Sequence, residues 1–171
     1  IENGDYISVE GTLLSQGTAG DPVVFTADDD DTVGRDSNGN GAASVPLPGS
    51  WQGIYFEEGS DASLVEHSEF RYAGRDFAPA SGGAIPTVFI RGGGVTLRDV
   101  LIRDGDLHGV QVTGADTAPT LERIHVVDSN GSAFVFALGS EVAISELSGE
   151  GNAFDRILQN GGTLSEDRTW G

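Results

Sequence analysis

The chain of 171 residues carries a formal charge of −18; all nine of its Lys and Arg positions are arginine, and cysteine and methionine are absent. Such an acidic field repels phosphate backbones and argues against nucleic acid as a partner, and no apolar run approaches a membrane span, so direct membrane insertion is not expected. Composition is even along the chain and the length suits one domain, residues 1–171, with a continuous core.

Twenty-six glycines and six prolines, with apolar residues in short runs instead of helical stripes, predict many short strands joined by turns and no helix. Ile1 to Ala27 reads as a first coil. Ile7 and Val9 alternate with Ser8 and Glu10, Gly11 turns the chain, and Pro22 leads into Val23-Val24-Phe25-Thr26. Residues 28–50, DDDDTVGRDSNGNGAASVPLPGS, interrupt the pattern with an acidic insertion, and the ladder resumes at Trp51-Gln52-Gly53-Ile54. A shorter insertion, residues 75–86, enters at the corresponding place one coil later, so both loops are expected to leave the same edge.

From Val88 to Asn152 the coils run almost uninterrupted. Ile54 and Phe56, Val88 and Ile90, Val110 and Val112, and Phe134 and Phe136 fall into one pair of columns, each two residues apart as a strand face requires. A second column reads Val65, Leu97, Leu121 and Ile144, and a third reads Ser68, Val100, Ile124 and Leu147. Steps of about 22 to 24 residues between the later units are a solenoid period. One unit cannot bury its apolar face alone, so neighbours must stack. Two or three short strands per turn with glycine-rich corners describe a parallel β-helix coil, whereas the leucine-rich consensus is not met in register. Asp106, Asn130 and Asn152 are expected at equivalent corners, where Asn and Asp tolerate the left-handed conformation. Residues 153–158 begin a last partial coil and residues 159–171 read as a tail or connector. A chain that starts at Ile1 without an initiating methionine is expected to be a piece of something longer.

GTLLSQGTAGDPVVFTADDDD, GRDSNGNG, PGSWQGIYF and EFRYAG, in that order, resemble landmarks of right-handed parallel β-helix modules in large secreted or cell-surface proteins of bacteria and archaea. The likeness covers the first half of the chain, and the later coils share only the period. It implies an all-β, right-handed solenoid located outside the cell and flanked by neighbouring modules of the same longer protein. Fold alone does not supply a function.

Asp36-Ser37-Asn38-Gly39-Asn40-Gly41 fits the first half of a calcium loop, D-x-[DN]-x-[DN]-G, in which alternating oxygen ligands converge and glycine permits the sharp turn. Position twelve is Leu47, not glutamate, so a missing carboxylate has to come from elsewhere. Asp28, Asp30 and Asp31 lie just upstream and can supply it. Four adjacent carboxylates repel, and a divalent cation relieves that repulsion. The expected ligands are therefore Asp28, Asp30, Asp31, Asp36, Asn38 and Asn40, and the all-oxygen set selects calcium. His67, His108 and His125 fall on different coils without zinc spacing.

Trp51, Tyr55 and Phe89, with Arg91 beside them, form a candidate strip for a surface glycan beneath the two insertions, since aromatic rings offer a flat apolar face with a polar edge. Packing of the insertion's return is the competing role for Trp51. The resulting expectation is a non-catalytic structural or adhesive module stabilised by calcium. The alternative is a polysaccharide lyase or glycoside hydrolase on a β-helix. Lyase chemistry needs a base, and Arg91 is the only basic candidate on the outward face; Asp104 and Asp128 match one coil apart, near the separation of a retaining carboxylate pair.

Overall fold

The computed structural model describes residues 1–76, 84–114 and 117–162, and among these there is no helix. The first turn of chain contributes β1 (Tyr6–Val9), β2 (Leu14–Gln16) and β3 (Val23–Phe25), and the next contributes β4 (Gly53–Phe56) and β5 (Leu64–Arg71). A short antiparallel ribbon, β6 (Arg75–Asp76) with β7 (Ala84–Ile85), precedes β8 (Val88–Ile90) and β9 (Thr96–Arg103). There follow β10 (Val110–Val112) and β11 (Thr120–Val127), then β12 (Ser132–Ala137), β13 (Ala143–Ser145), β14 (Ser148–Glu150) and β15 (Phe154–Asn160).

Two parallel sheets take up all of these strands except the β6–β7 ribbon. The first is ordered β1-β4-β8-β10-β12-β15; the second is ordered β2-β5-β9-β11-β13, with β3 also on β5 and β14 also on β11. The chain thus visits the sheets alternately, adding one strand at most visits and two short ones, β2 with β3 and β13 with β14, at the first and last visits to the second sheet. Gln159 and Asn160 belong to β15, so the last coil outruns residue 158; only residues 163–171 of the expected tail lie outside the described residues. Within the second insertion, residues 77–83 also lie outside them.

The register follows the apolar columns read from the sequence. Ile7, Ile54, Val88, Val110 and Phe134 pair in succession, as do Val9, Phe56, Ile90, Val112 and Phe136. In the second sheet Ser15, Val65, Leu97, Leu121 and Ile144 align, and Val23, Ser68, Val100 and Ile124 form the neighbouring column. Inward residues from both sheets meet in one apolar cluster. In-register stacking places like beside like at the strand spacing, so each added coil removes a full row of Val, Leu, Ile or Phe from water.

The left-handed corners sit elsewhere than expected. Asp106 and Asn130 do align, with Asn130 Nδ2 3.4 Å from Asp106 Oδ1, but neither they nor Asn152 has positive φ. Asn152 lies one position out of that column and caps Ser129, whose amide it accepts at 2.9 Å. Positive φ falls two residues before Asp106 and Asn130, at Asp104 and Asp128, and in a second column at His67, Asp99, Arg123 and Glu146. These last four bend the second sheet between two straight halves; β5, β9 and β11 run through the bend, while β13 and β14 flank it.

Gly53 shows why the W-Q-G-I stretch reads as it does. Its φ is 121°, and a Cβ there would lie 2.5 Å from the Thr87 carbonyl oxygen of the next coil. Only glycine allows the strands to approach so closely at that conformation.

Candidate functional site

The acidic insertion is tied down at its root. The Asp28 amide donates to the Ile1 carbonyl at 2.9 Å, and Asp30 is buried with its carboxylate taken up by neighbours. It accepts Thr26 Oγ1 at 2.7 Å, the Thr32 amide at 3.2 Å and the Thr32 hydroxyl, and Arg71 Nη1 stands 3.5 Å away. Burial by itself would raise its pKa, but the Thr32 and Thr26 hydrogen bonds and the Arg71 charge outweigh it and hold the carboxyl below its ordinary value. Arg71 also grips Glu69 with Nε at 2.7 Å and Nη2 at 2.9 Å, and Arg103 reaches Glu69 from the next coil at 2.6 Å. The sequence pattern passes over this Asp30–Arg71–Glu69–Arg103 chain, because partners 41 positions apart leave no local signal.

Further out, the loop adopts the turn its motif predicts. Asp36 accepts the Asn40 and Gly41 amides at 2.9 and 2.8 Å, Asn38 Oδ1 accepts the Asn40 amide at 3.1 Å, and Gly39 and Gly41 take φ of 72° and 64°. Asn38 Nδ2 donates to Asp29 at 2.8 Å and Asn40 Nδ2 donates to Ser44 at 2.7 Å. Asp29, which the spacing argument leaves out, is therefore the upstream carboxylate that meets the downstream turn. Asp31 Oδ1 is buried without a hydrogen-bond partner. That orphaned anionic oxygen fits a hard cation, as does the all-oxygen character of Asp28, Asp31, Asp36, Asn38 and Asn40. Asp30 is different, since its oxygens already serve the threonines and Arg71. Among the described residues, no three carboxylates of this loop converge within 4.8 Å of one another.

The aromatic candidates separate. Trp51 is 0 % exposed and donates Nε1 to the Arg71 carbonyl at 2.8 Å, which places its ring in the core and away from any surface ligand. Tyr55 and Phe89 do stand side by side on the outer face of the first sheet, with ring centroids 6.1 Å apart and nearly perpendicular planes. Arg91 lies over both, 4.5 Å from the Phe89 centroid and 5.2 Å from that of Tyr55, and pairs with Glu57 at 3.1 Å. Burial pushes the Tyr55 hydroxyl up to about 12 against the opposing pull of Arg91. Tyr6, which no motif marks, stacks on Tyr55 at 5.1 Å and 21° and is itself 55 % exposed. The β1 alternation could have found it: with Ile7 and Val9 inward, Tyr6 and Ser8 must face out. Tyr6, Tyr55 and Arg91, together with Glu10, Glu57 and Glu58, line an open concavity of about 560 Å³.

Of the two carboxylates of the enzymatic alternative, Asp104 is engaged in an ion pair. Asp104 and Asp128 occupy matching corners, but Asp104 is held by Arg103 at 2.7 Å. Glu66, His67 and Asp99 bring one donor atom each within 4.8 Å of one another. Arg123 nevertheless grips both Asp99 oxygens at 2.6 and 2.8 Å, and Arg98 bridges Glu66 at 3.3 Å to Glu122 at 2.8 Å. The hydrogen bonds from Arg123, which outweigh desolvation, hold the Asp99 carboxyl below its ordinary range. This is a cross-strand charge ladder on one sheet face. The other two histidines serve elsewhere, His108 accepting the Ser132 amide at 2.9 Å and His125 sharing a hydrogen with Ser148 at 2.7 Å.

No protein-family model, curated protein or solved structure matches this chain.

Proposed function

We propose that the chain is a right-handed parallel β-helix segment that serves as a rigid structural or adhesive module of a secreted or cell-surface protein, held by calcium in the 28–41 loop and offering one face to glycans. The observation that carries this reading is the stepwise alternation of the chain between two parallel sheets, which supports a rod whose length grows with coil number. At the last coil Ile144 and Phe154 remain 53 % and 51 % exposed although Ile144 continues an interior column. Unpaired edges and bare apolar rows are a liability that a neighbouring module of the same protein removes.

Calcium is supported by the turn at Asp36 to Gly41 and by the buried unpartnered oxygen of Asp31. A bound cation supplies charge neutralisation. The chain's own part is to present Asp28, Asp31, Asp36, Asn38 and Asn40, while Asp30 fastens the loop to Arg71. Thermal unfolding in EGTA, then with calcium or magnesium restored, tests this directly, because a cation bound only by the folded state raises the midpoint. The expected result is a calcium-selective rise that Asp36→Ala abolishes. Identical midpoints in EGTA and calcium would remove the metal from the proposal.

A further inference from the structure

We infer that the concavity beside Tyr6 and Tyr55 binds an amine-bearing carbohydrate, an oligosaccharide of glucosamine. This rests on the glycan-facing part of the reading above and assigns that face both its residues and its sugar class. The exposed Tyr6 ring lies flat on Tyr55, so its orientation is fixed by a stacked partner. A held aromatic plane at a surface suits the apolar face of a pyranose.

Charge decides which sugar. Three carboxylates, Glu10, Glu57 and Glu58, line the concavity against one cation, Arg91. That cation is already committed to Glu57 at 3.1 Å and to the Phe89 ring at 4.5 Å. Among the described residues Glu10 and Glu58 make no ion pair, and the surrounding chain adds to the negative field. A uronic acid polymer meets repulsion here. A neutral sugar displaces water from two carboxylates without replacing their countercharge. An ammonium beside a pyranose satisfies both features, since it donates charge-assisted hydrogen bonds to carboxylates and is attracted to the exposed face of Tyr6. A cation without a ring, such as a lysine side chain, uses only half of the site.

Titration calorimetry with four tetramers tests the assignment: glucosamine, N-acetylglucosamine, galacturonate and lysine. Glucosamine tetramer is expected to bind about tenfold or more tightly than its acetylated counterpart and than tetralysine. Glu58→Gln and Tyr6→Ala should each weaken it about tenfold, Tyr6→Phe should retain binding, and Glu150→Gln, an exposed acid on β14, should leave it unchanged. Glu58→Gln keeps the test decisive if Tyr6→Ala loosens the edge strand. Equal binding of the acetylated tetramer would leave the glycan face standing and overturn the amine assignment. Tetralysine binding as tightly as the sugar, or an equal loss in Glu150→Gln, would reduce the effect to general charge attraction and overturn it as well. Absence of binding to every sugar would remove the glycan face together with its ligand.

Discussion

Asp30 lies in a run of four aspartates, where ionisation of one opposes that of the next, yet it is the one that is buried. Its burial is compensated by three hydrogen bonds from Thr26 and Thr32 and by Arg71, a charge-assisted set that stabilises the anion more than desolvation penalises it. Glu69, on the far side of Arg71, is likewise buried; desolvation works to raise its pKa, and the hydrogen bonds from Arg71 and Arg103 lower it by more. Both folded-state values lie beneath the ordinary 3.8 and 4.5. A depressed carboxyl contributes stability that is complete above its unfolded value and disappears as pH falls through the folded one. Urea midpoints are therefore expected to fall steeply below pH 4.5, with a shallower acid limb in Asp30→Asn at the cost of lower stability at neutral pH. Parallel acid limbs in the two proteins would show that other carboxylates carry the transition.

At the scale of the element, the bent strands of the second sheet are unusual in placing non-glycine residues at each left-handed corner. His67, Asp99, Arg123 and Glu146 hold φ between 45° and 53°, which costs about 1 kcal/mol or more per residue. Three of them recover some of this through the ladder: Arg123 binds Asp99 on both oxygens, and His67 Nε2 stands 4.0 Å from Asp99. Glu146 makes no such contact among the described residues. Glu146→Gly is accordingly expected to leave stability unchanged or raise it by up to about 1 kcal/mol, because the relief of strain outweighs the added unfolded-state entropy. Arg123→Gly is expected to lower stability through loss of the bidentate pair. Denaturant midpoints of the two variants decide it, and a larger loss in Glu146→Gly than in Arg123→Gly would refute the strain argument. These corners were not legible in the sequence, since no glycine or asparagine marks them; apolar alternation simply continues through each bend.

Over the whole molecule, a charge of −18 sets collective repulsion against a set of arginine–carboxylate pairs on the sheet faces. Exposed pairs contribute roughly 0 to 1 kcal/mol each and weaken in salt, while unpaired carboxylates repel one another over a Debye length of about 10 Å at 0.1 M. Repulsion involves every acidic group, so screening it should dominate. The melting midpoint in EGTA is expected to rise as sodium chloride is increased, with potassium chloride giving the same curve. A falling midpoint would mean that the ion-pair ladders outweigh the net charge. Keeping chelator present separates this general effect from the proposed calcium-specific one.

The sequence by itself determined the strands and their register. A side-chain period of two inside a repeat of nearly constant length admits one stacking in which every Ile, Val, Leu and Phe column is continuous, and sliding a strand by one residue turns its apolar row outward. The Asp36 turn was legible for the same reason, since its hydrogen bonds run between residues five positions apart or fewer. Contacts between distant parts of the chain were decided only in three dimensions. Trp51 could face a ligand or the core until its indole met the Arg71 carbonyl; Asp29 and Asp30 were neighbours in an acidic run until one met Asn38 and the other Arg71. Tyr6 became a surface feature because β4 brings Tyr55 beneath it. Periodicity encodes which face a residue takes, but the partner waiting on that face comes from another coil, and only the folded chain brings the two together.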